Sequence, residues 1–280
     1  HRQFSHSLFF IPFGSLLVTF FIFPFLRGSM SLKMVYTASF LGYATHGLLD
    51  ACTSYGTQLF WPFSDQRVAW NNISIVDPLF TIPIIILTVT AIKTRKKMFS
   101  FFAIGWITFY LFLGFIQYER TLSAAMELAY SRGHEAERLT LKPSFGNLIL
   151  WKSIYQHDEI YFVDAIRTVH SSTWCSGDSI KRFDFNYHIP TVDKDSQQAR
   201  DIERFRWFSQ DYLGYDEKND LVTDIRYSMI PNQIAPMWGL VINKKLSMDK
   251  HASWWTSRSL DQSQLKLFKE MLRGEVCEDF

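Results

Sequence analysis

Histidine, arginine and aspartate residues with metal-binding or acid–base chemistry cluster at the start of the chain. His1, Arg2 and His6 open the sequence as HRQFSHS, directly before a long apolar run. His46 and Asp50 follow in HGLLD, and their spacing of four residues places them on one face of a helix. Because a neutral imidazole and a carboxylate are common ligands of divalent metals, these residues predict a metal site.

A further carboxylate, Asp77, lies in IVDPLF. Taken singly, these residues have structural explanations. Asp77 precedes a proline, which is typical of a helix start, Asp50 could cap a loop, and Arg2 could contact a lipid headgroup. A lone histidine is more often hydrogen-bonded than a ligand. If these residues all lie at one face of a membrane, their conjunction favours a functional site over separate structural roles. Ionisable residues at membrane depth are costly, and each would otherwise need its own explanation.

Composition divides the chain into two halves. The 280 residues carry a net charge of +2, so no nucleic-acid partner is implied. Residues 1–118 hold long apolar runs, whereas residues 119–280 carry most of the charged side chains. We therefore expect a helical membrane-embedded domain over residues 1–118 and a soluble α+β domain over residues 119–280.

Four segments of the first half are candidates for membrane helices, since a bilayer core needs about 20 apolar residues. They are Ser7–Leu26, Met34–Leu49, Ile75–Ile92 and Met98–Tyr118. Basic residues mark cytoplasmic loops, and Lys93–Lys97, Arg27 and Lys33 would all lie on one side of a four-helix arrangement. This topology predicts a multi-pass membrane protein. The histidines and the second half would then face the extracytoplasmic side.

The second half shows a mixed pattern of helices and strands. Helices are predicted at 121–139, 196–213 and 259–272, and strands at 148–155, 159–169, 221–229 and 237–243. Its histidines form no ligand-spaced pair and are assigned to the surface or to packing. Cys52, Cys175 and Cys277 form no CxxC motif, which argues against a zinc ribbon. A Cys175–Cys277 disulfide is left open, conditional on an oxidising compartment.

Three ordered motifs resemble those of a known family. HRQFSHSL is similar to the H-R-G-x-T-H-S-L signature of the YdjM-like membrane-bound metal-dependent hydrolases. HGLLDACTSYGTQLFWPFSD resembles the second signature of that family, and IVDPLF resembles the third. Gln3 and Ser5 depart from the first signature, although Ser5 keeps a hydroxyl group. Family members also carry an upstream Pro-Asp-x-Asp segment that would supply further carboxylates.

The resemblance implies a location in the bacterial inner membrane, a set of metal ligands and a cofactor. It implies metal ligands at His1, His6, His46 and Asp50, with Asp77 as a further ligand or as support for one. The cofactor implied is a divalent metal, zinc or alternatively manganese. By fold-level analogy, the helices that hold the metal would be related to the zinc-dependent phospholipase C and P1 nuclease enzymes.

Together these expectations describe a hydrolase at the outer face of the inner membrane. A metal with an open position generates a reactive water, Arg2 would bind an anionic substrate oxygen, and Asp50 or Asp77 would orient or deprotonate the water. The expected substrate is a membrane lipid or a lipid-linked phosphoester. The alternative is a non-enzymatic membrane protein with a structural metal site and an outer domain that binds a partner. A transporter is disfavoured, because the predicted spans contain no buried charge relay.

Overall fold

The structure is a computed structural model that describes residues 2–245 and 247–279. The chain divides into two compact units. Unit 1 comprises His1–Ile116 and Phe145–Leu148, and unit 2 comprises residues 117–144 and 149–280.

Unit 1 is helical. A short 3-10 helix, η1 (Phe4–His6), precedes α1 (Ile11–Leu26), α2 (Leu32–Cys52), α3 (Pro78–Thr94) and α4 (Lys97–Ser131), the last of which continues into unit 2. The helix starts follow from local chemistry. The Ser31 side chain accepts the Met34 N–H at the start of α2. Asp77 accepts the Phe80 N–H at the start of α3, where Pro78 has no N–H to satisfy.

The prediction of four membrane helices is wrong. Within the described residues, α4 alone is long and apolar enough to cross a membrane by length and composition. The helices α1 and α3 are apolar but have only 16 and 17 residues. The predicted first span is shortened because η1 and a turn occupy residues 4–10, and the third because Asp77 fixes the start of α3. The predicted fourth span joins the helix predicted after it, so that α4 runs for 35 residues.

Unit 2 is a β-rich domain of two antiparallel sheets, which also corrects the predicted α+β class. In the described part of the chain, the first sheet has the strand order β1-β2-β3-β4-β10, with β5 paired to β3, and the second has the order β6-β7-β8-β9. The strands are β1 (Arg138–Pro143), β2 (Leu150–His157), β3 (Ile160–Thr168), β4 (Ser172–Cys175), β5 (Ser179–Lys181), β6 (Leu213–Asp216), β7 (Leu221–Asp224), β8 (Trp238–Val241), β9 (Ser253–Thr256) and β10 (Glu278–Asp279). The helices are α5 (Phe185–His188), α6 (Gln197–Phe208) and α7 (Gln262–Arg273).

The sheets of unit 2 are held by apolar packing and by one disulfide. The interior strand β2 is buried on both faces, and Trp151 and Tyr155 are fully buried in it. The helix α6 packs Ile202 and Phe205 into the core beside the second sheet. Cys175 and Cys277 form a disulfide, so the pairing that the sequence left open is present in the structure, while Cys52 is a buried free thiol.

Candidate metal centre

One face of α2 carries the centre. Tyr43, His46, Gly47 and Asp50 recur at spacings of three and four residues, which aligns them along the helix. The segment η1 lies against this face. The Tyr43 hydroxyl donates a hydrogen bond of 2.8 Å to the Ser5 carbonyl oxygen and so fixes η1 to the helix.

Gly47 allows the backbone of η1 to approach α2 closely. A Cβ at this position would lie 2.7 Å from the carbonyl oxygen of His6, closer than such atoms come in proteins. A larger residue would therefore push His6 away from the helix. The absence of a side chain at Gly47 is what lets the two histidines meet.

Three side chains converge where η1 meets α2. Nε2 of His6 lies 3.1 Å from Nε2 of His46 and 3.4 Å from Oδ2 of Asp50. One ligand atom from each of the three residues lies within 4.8 Å of the others, so that the group could hold a metal ion. Two ligand atoms on a tetrahedral zinc ion lie about 3.3 Å apart, given metal–ligand bonds of about 2.0–2.1 Å. The His6–His46 and His6–Asp50 distances match this spacing.

The contact made by the second ring nitrogen of His6 also suits a metal ligand. Its Nδ1 lies 3.0 Å from the Ser5 hydroxyl oxygen. When Nδ1 carries the proton and donates to Ser5, Nε2 turns its lone pair toward His46 and Asp50. In that tautomer a metal ion can bind between Nε2 and the carboxylate, whereas in the other tautomer Nε2–H donates a hydrogen bond there. Metal-binding histidines commonly donate their second N–H in this way, which holds the ring in place.

Arg2 supports Asp50 from the side away from His6. Its Nη2 lies 3.0 Å from Oδ1 of Asp50, and its Nη1 donates to the Thr53 hydroxyl at 2.7 Å and to the Asp50 carbonyl at 3.3 Å. The Gln58 N–H donates in turn to the Arg2 carbonyl oxygen. Arg2 and Asp50 are 11% and 16% exposed, so solvent screens this ion pair little. The contact leaves Oδ2 of Asp50 directed at the histidines.

The electrostatic environment favours a neutral His6. Burial lowers the pKa of His6 below its ordinary value, and the neighbouring His46 and Arg2 lower it further, while Asp50 acts in the opposite direction. The neutral imidazole is the form that binds metals. His46 is exposed, so the centre is open on its side.

The remaining predicted site residues are placed differently. Asp77 is buried at the start of α3, where Oδ1 accepts the Phe80 N–H and Oδ2 accepts the Tyr110 hydroxyl at 2.8 Å. It is not a member of the group formed by His6, His46 and Asp50. Its role as a ligand stays a prediction, and His1 lies outside the described residues.

Two residues that position η1 against α2, Tyr43 and Gly47, were not predicted from the sequence. The signal was present in the spacing, since both lie on the same helix face as His46 and Asp50. Thr53 follows α2, and its contact with Arg2 has no signature in the sequence.

Comparison with known proteins agrees with the family that the motifs suggested. Residues 1–121 match the family model of the YdjM inner membrane protein. No curated protein and no solved structure matches the chain. The matched range contains the whole of η1, α1, α2 and α3, and with them His6, His46 and Asp50. The chain is therefore YdjM-like over residues 1–121, and this family description indicates the inner membrane.

Proposed function

We propose that the chain is a membrane-bound metal-dependent hydrolase that acts on a phosphoester or lipid-linked substrate, with its metal held by His6, His46 and Asp50. The observation that carries this proposal is the convergence of three ligand atoms at distances that suit one ion. Catalytic zinc sites commonly have three protein ligands and keep one position for water or substrate, whereas structural sites are closed by four. The three described ligands and the exposure of His46 favour the catalytic type.

The residues around the ion have separate tasks in this proposal. A divalent metal bound there supplies Lewis acidity and lowers the pKa of water. Ser5 holds the ring of His6, and Arg2 holds the carboxylate of Asp50. The Oδ2 atom of Asp50, on the side of the histidines, orients the attacking water. Arg2 acts here as a positioning residue, since Asp50 and Thr53 already bind its guanidinium group.

A substrate that resides in the membrane fits the surface of unit 1. Large apolar side chains are exposed on it, among them Phe20, Phe25 and Phe63 at 75%, 88% and 83%. Exposed apolar surface of this extent is typical of contact with lipid or with another protein. We therefore propose membrane lipid as the medium and a lipid or lipid-linked phosphoester as the substrate.

We further propose that unit 2 lies on the extracytoplasmic side. The basic residues 93–97 precede or begin α4, and such clusters favour the cytoplasmic side. The Cys175–Cys277 disulfide is typical of an oxidising compartment. The earlier placement of the metal centre at the outer face depends on four spans, and without them we propose no membrane face for it.

A structural metal site is the second candidate function. His6 lies on η1 and His46 on α2, 40 residues later, so that an ion between them would tie the start of the chain to the helix. In that case metal removal would lower stability, and no substrate would be turned over.

The test combines metal analysis with an activity assay. The full chain is purified in detergent, and its metal content is measured by mass spectrometry for the wild type and for His46→Ala. His170→Ala serves as the matched control, because His170 lies in unit 2. Hydrolysis of bis(p-nitrophenyl) phosphate is followed in the same samples, before and after chelation.

The proposal predicts one metal per chain in the wild type and in His170→Ala, and loss of metal and of hydrolysis in His46→Ala. Absence of metal from the wild type after reconstitution with zinc and manganese would refute it. Bound metal without turnover, together with a lower melting temperature after chelation, would favour the structural site instead.

A further inference from the structure

A groove runs between α1 and α2 in unit 1. Its volume is about 560 Å³. It is lined mainly by Val18, Ile22, Leu26, Val35, Ala38 and Gly42. Among the described residues that line it, none is Asp, Glu, Lys or Arg. A charged molecule would lose its hydration there without gaining a partner, so the groove suits an apolar occupant.

The groove ends at the candidate metal centre. Ser39, Gly42, Tyr43 and His46 line it at helical spacing along α2, and His46 is also one of the three ligands. Asp50 lies one turn further along the same helix. An occupant of the groove therefore has one end next to the ligands.

The length and volume of the groove suit an extended apolar chain. The stretch of α2 from Val35 to His46 is about 16 Å long. A volume of about 560 Å³ over this length gives a mean cross-section of about 35 Å². A groove of this length and volume can take up a single extended hydrocarbon chain.

The charge at the metal-centre end of the groove indicates what polar group the occupant would carry there. Arg2 balances the carboxylate of Asp50, and imidazoles that bind a metal do so in the neutral form. A divalent ion bound by these residues would leave the centre with a net positive charge. An anionic headgroup, such as a phosphate, complements this charge, while the walls beyond His46 complement a hydrocarbon chain.

We infer that the α1–α2 groove holds the hydrocarbon chain of an anionic single-chain phospholipid whose phosphate lies at the His6–His46–Asp50 centre. The inference rests on the proposed metal site and names the substrate class for it. The lipid enters with its chain along α2, which places the phosphoester next to the ligands. Chain length and headgroup charge are then both determinants of affinity.

Gly42 is a position at which a substitution can narrow the groove. A Cβ added there meets no atom within 4 Å, so a larger side chain would extend into the groove without displacing a neighbour. Gly105 in α4 is the matched control, because a Cβ there also meets nothing within 4 Å. Gly42→Leu and Gly105→Leu gain the same helix propensity, and only the first would narrow the groove.

The binding experiment uses the full chain, loaded with zinc and reconstituted into phosphatidylcholine nanodiscs. The probe is a long-chain alkyl phosphate with a photoactivatable group at the end of its chain, and the comparison probe is the corresponding uncharged alcohol. Labelled peptides are mapped by mass spectrometry. Retained zinc content shows that each variant keeps its fold, and Gly42→Ala provides a smaller obstruction.

We expect the phosphate probe to label the segments 18–30 and 35–42 more strongly than the alcohol does. Gly42→Leu should weaken this labelling about tenfold, because it displaces about two methylene groups of the chain. Gly105→Leu should leave it unchanged, and Gly42→Ala should have an intermediate effect. Equal labelling by both probes, or equal labelling of Gly42→Leu and Gly105→Leu, overturns the inference.

A turnover assay distinguishes failure of this inference from failure of the proposed function. A short-chain and a long-chain alkyl p-nitrophenyl phosphate are hydrolysed in parallel, and Gly42→Leu should raise the KM for the long-chain ester only. Turnover without any preference for chain length overturns the inference and leaves the hydrolase proposal standing. Groove labelling without any turnover upholds the lipid site and refutes the hydrolase proposal.

Discussion

The close approach of His6 to α2 depends on Gly47, and Gly47→Ala tests it. The new Cβ would lie 2.7 Å from the carbonyl oxygen of His6, whereas ordinary contacts begin at 3.4 Å. The backbone at His6 must therefore retreat by about 0.7 Å. Metal sites tolerate ligand displacements of about 0.2 Å, so the retreat is more than three times what the site can absorb. We expect the affinity for zinc to fall by about 100-fold, at the upper end of the effect of perturbing a ligand's support.

The assay is a zinc titration in competition with a chromophoric chelator, on the full chain in detergent at constant pH. Gly42→Ala is the control, because it lies on the same helix and a Cβ there has open space. Both variants gain about 0.8–1 kcal/mol of helix propensity, so the difference between them isolates the contact with His6. If Gly47→Ala binds zinc as tightly as Gly42→Ala does, the geometry of the centre described above is wrong.

Three further predictions concern the rest of the chain. Burial lowers the pKa of Lys152 from 10.5 to about 7. The unfolded chain therefore binds more protons between these values, and stability should rise with pH from about 7 toward 10. Urea unfolding should show a smaller rise for Lys152→Met, and an unchanged slope would contradict the shift. The Cys175–Cys277 disulfide closes a loop with a sequence separation of 102, and Cys277→Ser should cost about 2–5 kcal/mol of unfolding free energy. An unchanged urea midpoint would exclude that bond in solution. Asp77→Ala should cost about 1 kcal/mol through its helix cap while zinc content stays constant, and loss of zinc would instead support its predicted role as a ligand.

The sequence located six elements of the second half, namely β2, β3, β7, β8, α6 and α7, but misjudged the helices of the first half. The strands predicted at 148–155 and 159–169 correspond closely to β2 and β3, and the helix predicted at 196–213 contains α6. Alternating and helical patterns were sufficient there, because burial on one or both faces leaves a periodic trace. In the first half, apolar composition was continuous across residues that form η1, turns and helix caps. Composition gave the lengths of apolar runs but not the points at which the helices begin.

The candidate centre was predictable in its members and not in its arrangement. The spacing of His46 and Asp50 placed them on one helix face, and His6 was singled out by its residue type and by the resemblance to the YdjM-like motifs. Asp77 shared these properties, yet the structure uses both of its oxygens within unit 1. Residue type alone does not distinguish a free carboxylate from one that caps a helix.

Local patterns in the sequence therefore determined which residues could bind a metal, the helix face that carries two of them, and four strands of the second half, β2, β3, β7 and β8. The tertiary structure decided the rest, because it depends on contacts between segments distant in the chain. The hydrogen bond from Tyr43 to Ser5 and the missing side chain at Gly47 bring His6 within 3.1 Å of His46, across 40 residues. Such distances follow from packing, and no spacing within a single segment encodes them.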